Sequence, residues 1–347
     1  TLNSSVYEKS LEQIKKGNLG LLTILCGEDV GQYHIAKDLL MKQLEFDTSD
    51  LGFAYFDMSE ADYHQVDLDL VSLPFFSDEK VVILDYFADL TTDKKRYLTD
   101  DELKQFEAYL ENPVETTRLI ILAPGKLDSK RRLVKLLKRD GLVLEANPLK
   151  EMELKNHFQN EVGRLGLRMD PDVFHYLMVK SNFDFAEVSK NLVFLQSYRG
   201  QNEISLADID VAIPKTLQDN IFDLTQLVLQ TKMDEANHLV RDLRLQGEDE
   251  IKLIAIMLTQ FRTYLQVQIL HEQGRGEQQI VTALSDLSGR KINPYQVKYA
   301  LRDSRNLSVG FLKKVVKLLI ETDYQIKTGQ FDKDYLFDIA LLRIATS

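Results

Sequence analysis

Five short apolar runs, each separated from the next by more polar, partly amphipathic sequence, constrain this chain more than any other feature. They are LLTILCG (21–27), GFAYFDM (52–58), KVVILDYF (80–87), RLIILAPG (118–125) and LVLEA (142–146). Most are continuous rather than alternating in hydrophobicity, the pattern of strands covered on both faces of a parallel sheet. Two intervening stretches read as helices. DDELKQFEAYLENP (100–113) sets Leu103, Phe106 and Leu110 on one face behind acidic N-cap candidates and stops at Pro113. SKRRLVKLLKRDG (129–141) ends on a glycine in C-cap position. Strands joined by crossover helices predict a doubly wound parallel five-stranded α/β domain.

After Asn147-Pro148 the strands largely stop. Leu154, Phe158, Val162 and Leu165 share one helix face, Asp170-Pro171 opens the next helix, and Asp184 with Glu187 forms a capping-box-like pair ahead of Phe185, Val188, Leu192 and Leu195. Longer helical patterns follow at 219–231, 233–246, 249–273, 276–285, 294–303, 308–328 and 332–346. The expected organisation is an α/β core over 1–148, a small helical domain over 149–213 and an all-α bundle over 214–347.

The 347 residues carry 43 basic and 54 acidic side chains, a formal charge of −11. That balance argues against a free-standing nucleic-acid binder held by a global positive field. A local patch working inside a larger complex stays open. The single cysteine, Cys26, ends an apolar strand, where a buried inert thiol is the ordinary outcome; such usage suits a reducing cytoplasm. No apolar signal region opens the chain and no apolar run approaches a membrane span, so a soluble, cytoplasmic protein without membrane contact is expected.

The stretch ILCGEDVGQYHIAKDLL (24–40) has the layout of a phosphate loop: strand, turn, helix. In the working motif G-x-x-x-x-G-K-[ST], backbone N–H groups cradle phosphates, the lysine reaches them and the hydroxyl ligates Mg²⁺. Counting from Gly27, those last three positions hold Gln32, Tyr33 and His34, and Glu28 and Asp29 put negative charge in the turn. ATP binding is not expected, and no cofactor is implied. Asp85 ends the third run where a Walker B acid would stand, but Tyr86 replaces the following glutamate. Just upstream, Leu73, Pro74, Phe75 and Phe76 lie between polar segments. They read as an exposed plug for a partner pocket or as a strand entry packed inside the domain; spacing alone favours the packed entry. The basic run around Lys130, Arg131 and Lys135 reads as a solvated helix face before a phosphate contact. The six histidines show no metal-ligand spacing, no nucleophile elbow or dinucleotide loop is present, and the scattered carboxylates form no acid–base pair.

Taken in order, LTILCGEDVGQYHIAKDLL, SLPFFSDEKVVIL, KLDSKRRLVKLLK and FDFAEVSKNLVFL resemble the delta subunits of the bacterial DNA polymerase III clamp loader over nearly the whole chain. The resemblance implies an AAA+-like core and helical lid followed by a helical collar, with no ATP hydrolysis of its own. It implies binding and opening of the sliding clamp (beta subunit) for loading onto primed DNA, in a heteropentamer with the tau/gamma ATPase subunits and delta-prime. Any polymerase (nucleotidyltransferase) activity would belong to the holoenzyme. Carried over by position, the clamp-binding element falls on Leu73, Pro74, Phe75 and Phe76, with proline where relatives often have leucine. The sensor arginine of active relatives falls on Ala186. The competing readings are an active P-loop NTPase with an atypical loop, against which the missing lysine, glutamate and arginine argue, and delta-prime, whose cysteine cluster is missing here.

Overall fold

The structure, a computed structural model, describes residues 4–75 and 77–347. It divides into two compact units, Thr1–Ser205 and Leu206–Ser347.

In the first unit the elements run α1 (Val6–Lys15), β1 (Leu22–Gly27), α2 (Val30–Gln43), β2 (Phe53–Asp57), α3 (Tyr63–Val71), β3 (Lys80–Asp85), α4 (Asp100–Glu111), β4 (Thr117–Pro124), α5 (Arg132–Asp140) and β5 (Leu142–Glu145). The five strands are parallel in the order β2-β3-β4-β1-β5. Ile24, Leu25, Val82, Ile83, Leu84, Ile120, Ile121 and Leu122 are fully buried because helices cover both faces, which is why these runs are continuously apolar. Helix α4 is capped differently from the sequence expectation. Thr99, not an aspartate, is the N-cap, and it exchanges hydrogen bonds with Glu102 in a capping box. The T-x-x-E pattern satisfies two helix-end N–H groups, whereas Asp100 and Asp101 favour the first turn through the helix dipole.

The same unit continues through α6 (Glu151–Arg164), β6 (Arg168–Met169), α7 (Pro171–Lys180), α8 (Phe185–Arg199) and β7 (Glu203–Ile204), with β6 and β7 paired in parallel. Asp184 caps α8 by accepting the Glu187 N–H.

The second unit is all helical: α9 (Leu206–Ala212), α10 (Leu217–Leu229), α11 (Met233–Leu245), α12 (Glu250–Glu272), α13 (Glu277–Ser288), α14 (Pro294–Ser304), α15 (Val309–Lys327) and α16 (Lys333–Ala345). Its core gathers on α12, whose Leu253, Ile254, Met257, Phe261 and Val267 are buried against α10, α14, α15 and α16. Helix α12 corrects one expectation. By length and composition it is apolar enough to cross a membrane. Its buried apolar residues form the centre of the bundle, a position that asks for the same composition.

Candidate functional site

The carboxyl ends of β1, β3 and β4 meet at one edge of the sheet, the crevice in which open α/β folds hold ligands. Here the loop after β1 is closed on its own chain. Gly27 donates to Gly125 O at 2.9 Å and accepts from Gly125 N–H at 2.8 Å. Glu28 N–H meets Asn147 Oδ1 at 3.3 Å, and Asp29 N–H meets Ala146 O at 3.1 Å. Asp29 is the N-cap of α2, its carboxylate accepting the Gln32 N–H at 2.9 Å. These N–H groups are the kind that a phosphate loop turns toward its ligand. Gly27 is irreplaceable at this turn: its φ is +149°, and a Cβ would lie 2.1 Å from Ala146 O.

Of the positions where the motif residues would stand, Gln32 and Tyr33 are buried and His34 is exposed. Burial, with the Asp85 charge nearby, drives the Tyr33 phenol far above its ordinary pKa. One turn further along α2, Lys37 Nζ sits 2.7 Å from Asp85 Oδ2 and lies over the Tyr86 ring. Tyr55 also donates to Asp85 Oδ2, and Tyr86 N–H donates to Oδ1 at 2.8 Å. The acid in the Walker B position therefore holds a lysine, on a side chain only 1% exposed. No sequence signal pointed to Lys37, because its partner is 48 residues away.

The opening turn of α8 packs against the start of α2. A Cβ on Gly31 would stand 2.9 Å from Ala186 Cβ and 3.1 Å from its Cα and N. Gly31 and Ala186 thus pack closely, although no sequence pattern links them. Gly31→Val is expected to cost about 1–3 kcal/mol, since backbone rather than a movable side chain opposes the added methyls. Its urea midpoint should fall, with only partial recovery in Gly31→Val/Ala186→Gly because the main chain at residue 186 still blocks the added side chain.

A cavity of about 490 Å³ opens between α1, α2, α6 and α8, walled by Tyr7, Leu11, Ile35, Phe158, Phe185 and Val193. His157 also lines it. Burial holds this imidazole below its ordinary pKa although Glu8 lies 3.4 Å away. Among the described residues, no group of three or more His, Cys, Asp or Glu side chains is placed to hold a metal. Cys26 is buried, donates to Leu144 O, and has its thiol pushed up to about 12, chiefly by desolvation.

The segment between α3 and β3 has the opposite character. Leu73 is 66% and Phe75 90% exposed, while Pro74 is half-buried. Phe76 lies outside the described residues. The packed strand entry favoured by spacing alone does not describe Leu73 and Phe75. Leu68 and Val71, on the last turns of α3, are also exposed, although the sequence around them is polar in bulk. Helical periodicity on α3 is the available signal: Tyr63, Val66 and Leu70 take the buried face. In the basic run, Arg131, the N-cap of α5, is engaged, donating to Asp89 O at 2.7 Å and lying 3.7 Å from Asp128. Lys130 and Lys135 are exposed.

The strand order, the strand–loop–helix at the end of β1 and the helices that follow define a doubly wound parallel α/β module with a phosphate-loop layout, followed by a helical C-terminal region. Residues 24–147 match the family model for DNA polymerase III, delta subunit, and residues 218–344 match the model for the C-terminal domain of that subunit. The chain belongs to the DNA polymerase III delta subunit family. It is 29% identical to DNA polymerase III subunit delta of Bacillus subtilis over 300 residues, 86% of this chain and 85% of that protein. It also resembles the solved Bacillus subtilis DNA clamp loader delta protein (YqeN), with a TM-score of 0.69 and 27% identity, covering 99% of this chain and all of that one.

Proposed function

We propose that this protein is the clamp-engaging subunit of a bacterial clamp loader. It binds the ring-shaped sliding clamp (beta subunit) through Leu73, Pro74, Phe75 and Phe76 and favours an open ring. The tau/gamma subunits supply ATP hydrolysis, and the helical C-terminal region joins them and delta-prime in a five-membered assembly that delivers the clamp to primed DNA. The observation that carries the reading is Phe75, 90% exposed at the tip of a loop bordered by Leu68, Val71 and Leu73. Exposed apolar side chains close in sequence, an aromatic among them, are the usual form of an anchor for a partner's pocket.

The energetics fit such a role. A ring opens only if the loader binds the open form better than the closed one, so the anchor supplies affinity and further contacts supply the difference. An aromatic side chain moving from water into a pocket is worth roughly 1.5–3 kcal/mol. Lys130 and Lys135 remain available for a DNA or partner contact, at about the strength of a surface charge.

Two measurements test the proposal together. Isothermal titration with ATP and Mg²⁺ is expected to give no binding heat, because the loop N–H groups and Asp85 already have partners. Pull-down of a purified sliding clamp is expected to succeed with the wild-type chain. Saturable ATP binding would favour an active NTPase instead, and failure to retain the clamp would remove the clamp-engaging role.

A further inference from the structure

The loop that carries Phe75 leaves α3 and re-enters the sheet at β3, and both of its ends meet at one side chain. Lys80, the first residue of β3, is 7% exposed. Its ammonium donates to Asp69 O at 2.6 Å, Asp69 Oδ1 at 2.9 Å and Ser72 Oγ at 2.7 Å. A lysine ammonium has three N–H donors, and here each has an acceptor. Asp69 lies in the last turn of α3, and Ser72 is its C-cap, where the backbone turns extended (φ −76°, ψ 146°). The cation thus sits at the helix end that favours positive charge.

The strand side of this clasp is fixed as well. Lys80 N–H donates to Thr116 O at 2.9 Å, Lys80 pairs in register with Thr117 of β4, and Glu79 meets Arg118 at 3.4 Å. The strand interior beyond Lys80 is apolar, and an apolar residue could fill that position at no desolvation cost. A buried cation is costly unless its partners are arranged around it, so it selects one geometry for the groups it joins.

We propose that Lys80 is a positioning residue for partner engagement. It clasps the end of α3 to the start of β3, so that Leu73 and Phe75 are presented already ordered. The proposal rests on the clamp-engaging reading above. A loop held at its base in the free protein gives up less conformational freedom on binding, and that difference appears as affinity.

The test titrates a purified sliding clamp with the full chain as wild type, Lys80→Met, Lys80→Arg, Ser72→Ala and Phe75→Ala, each checked for cooperative unfolding, with amide exchange followed over 72–79. Lys80→Met should bind roughly tenfold or more weakly, with faster exchange confined to the loop, because the ordering cost returns to the binding step. Lys80→Arg should recover part of the loss. Ser72→Ala, which removes one acceptor, should bind several-fold more weakly. A folded Lys80→Met with wild-type affinity, or with weakened binding but unchanged loop exchange, overturns the proposal. If Lys80→Met does not fold, wild-type affinity in Ser72→Ala overturns it. Wild-type affinity in Phe75→Ala instead overturns the choice of this loop as the clamp anchor, and the positioning role with it.

Discussion

Alanine at both Phe75 and Phe76 is expected to weaken clamp binding by about 100-fold or more, in line with interface anchors that contribute about 2 kcal/mol or more each. Phe75 is 90% exposed, so its replacement removes almost no packing from the free protein. For Phe75→Ala alone the unfolding midpoint should therefore stay within the small range of ordinary surface substitutions. Assembly with the tau/gamma subunits should also persist, because the 73–76 segment and the helical C-terminal unit are separate parts of the chain. Titration of labelled clamp, followed by gel filtration with the partner subunits, reads both. Undiminished clamp affinity in the double variant would remove this loop from the interface. Leu68→Ala and Val71→Ala should show smaller losses, since they border the tip rather than form it.

The second large effect concerns stability. Lys37→Met should destabilise the protein by about 3–5 kcal/mol, the cost of leaving a buried carboxylate without its cation. Asp85 has a side chain only 1% exposed, and Lys37 is its ion-pair partner at 2.7 Å. Tyr55 and the Tyr86 N–H still donate to it, but neither carries charge. Asp85→Asn alone should cost less, because an amide needs no counter-ion, and Lys37→Met/Asp85→Asn should recover much of the single Lys37→Met loss. Urea unfolding of the four proteins forms the cycle that isolates the pair. Additive losses would mean that Lys37 and Asp85 do not act as a unit.

Much of the fold was legible because strands and helices leave local, periodic marks. The apolar runs at 21–27, 52–58, 80–87, 118–125 and 142–146 correspond to β1 to β5 with boundaries shifted by a few residues at most. The long helices of the second unit followed from their 3.6-residue spacing and glycine stops. Helices α1 and α3 were overlooked because their sequences are polar in bulk. Yet Tyr7 and Ile14 fall one helical heptad apart behind the Ser5 cap, and Tyr63, Val66 and Leu70 follow the Asp62 cap. Average hydropathy hid a stripe that periodicity would have found.

The candidate site divides along similar lines. That Gln32, Tyr33 and His34 stand where a phosphate loop needs glycine, lysine and a hydroxyl was readable by counting. The exposure of Phe75 was not, because apolar residues before a strand are more often packed than presented.

The sequence by itself determined a parallel sheet followed by helices and a nucleotide loop without its chemical groups, since each of these depends on neighbours within a few residues. Only the tertiary structure decided what occupies the crevice: Lys37 on Asp85, Ala186 against Gly31, and Asp29 turned back to cap α2. It also decided that Lys80 joins α3 to β3 and that Phe75, in the loop between them, is exposed. The physical reason is that charge pairing and close packing at the carboxyl edge depend on which strands and helices converge there. The joining of α3 to β3 depends likewise on the path of the loop between them, and no local pattern encodes either.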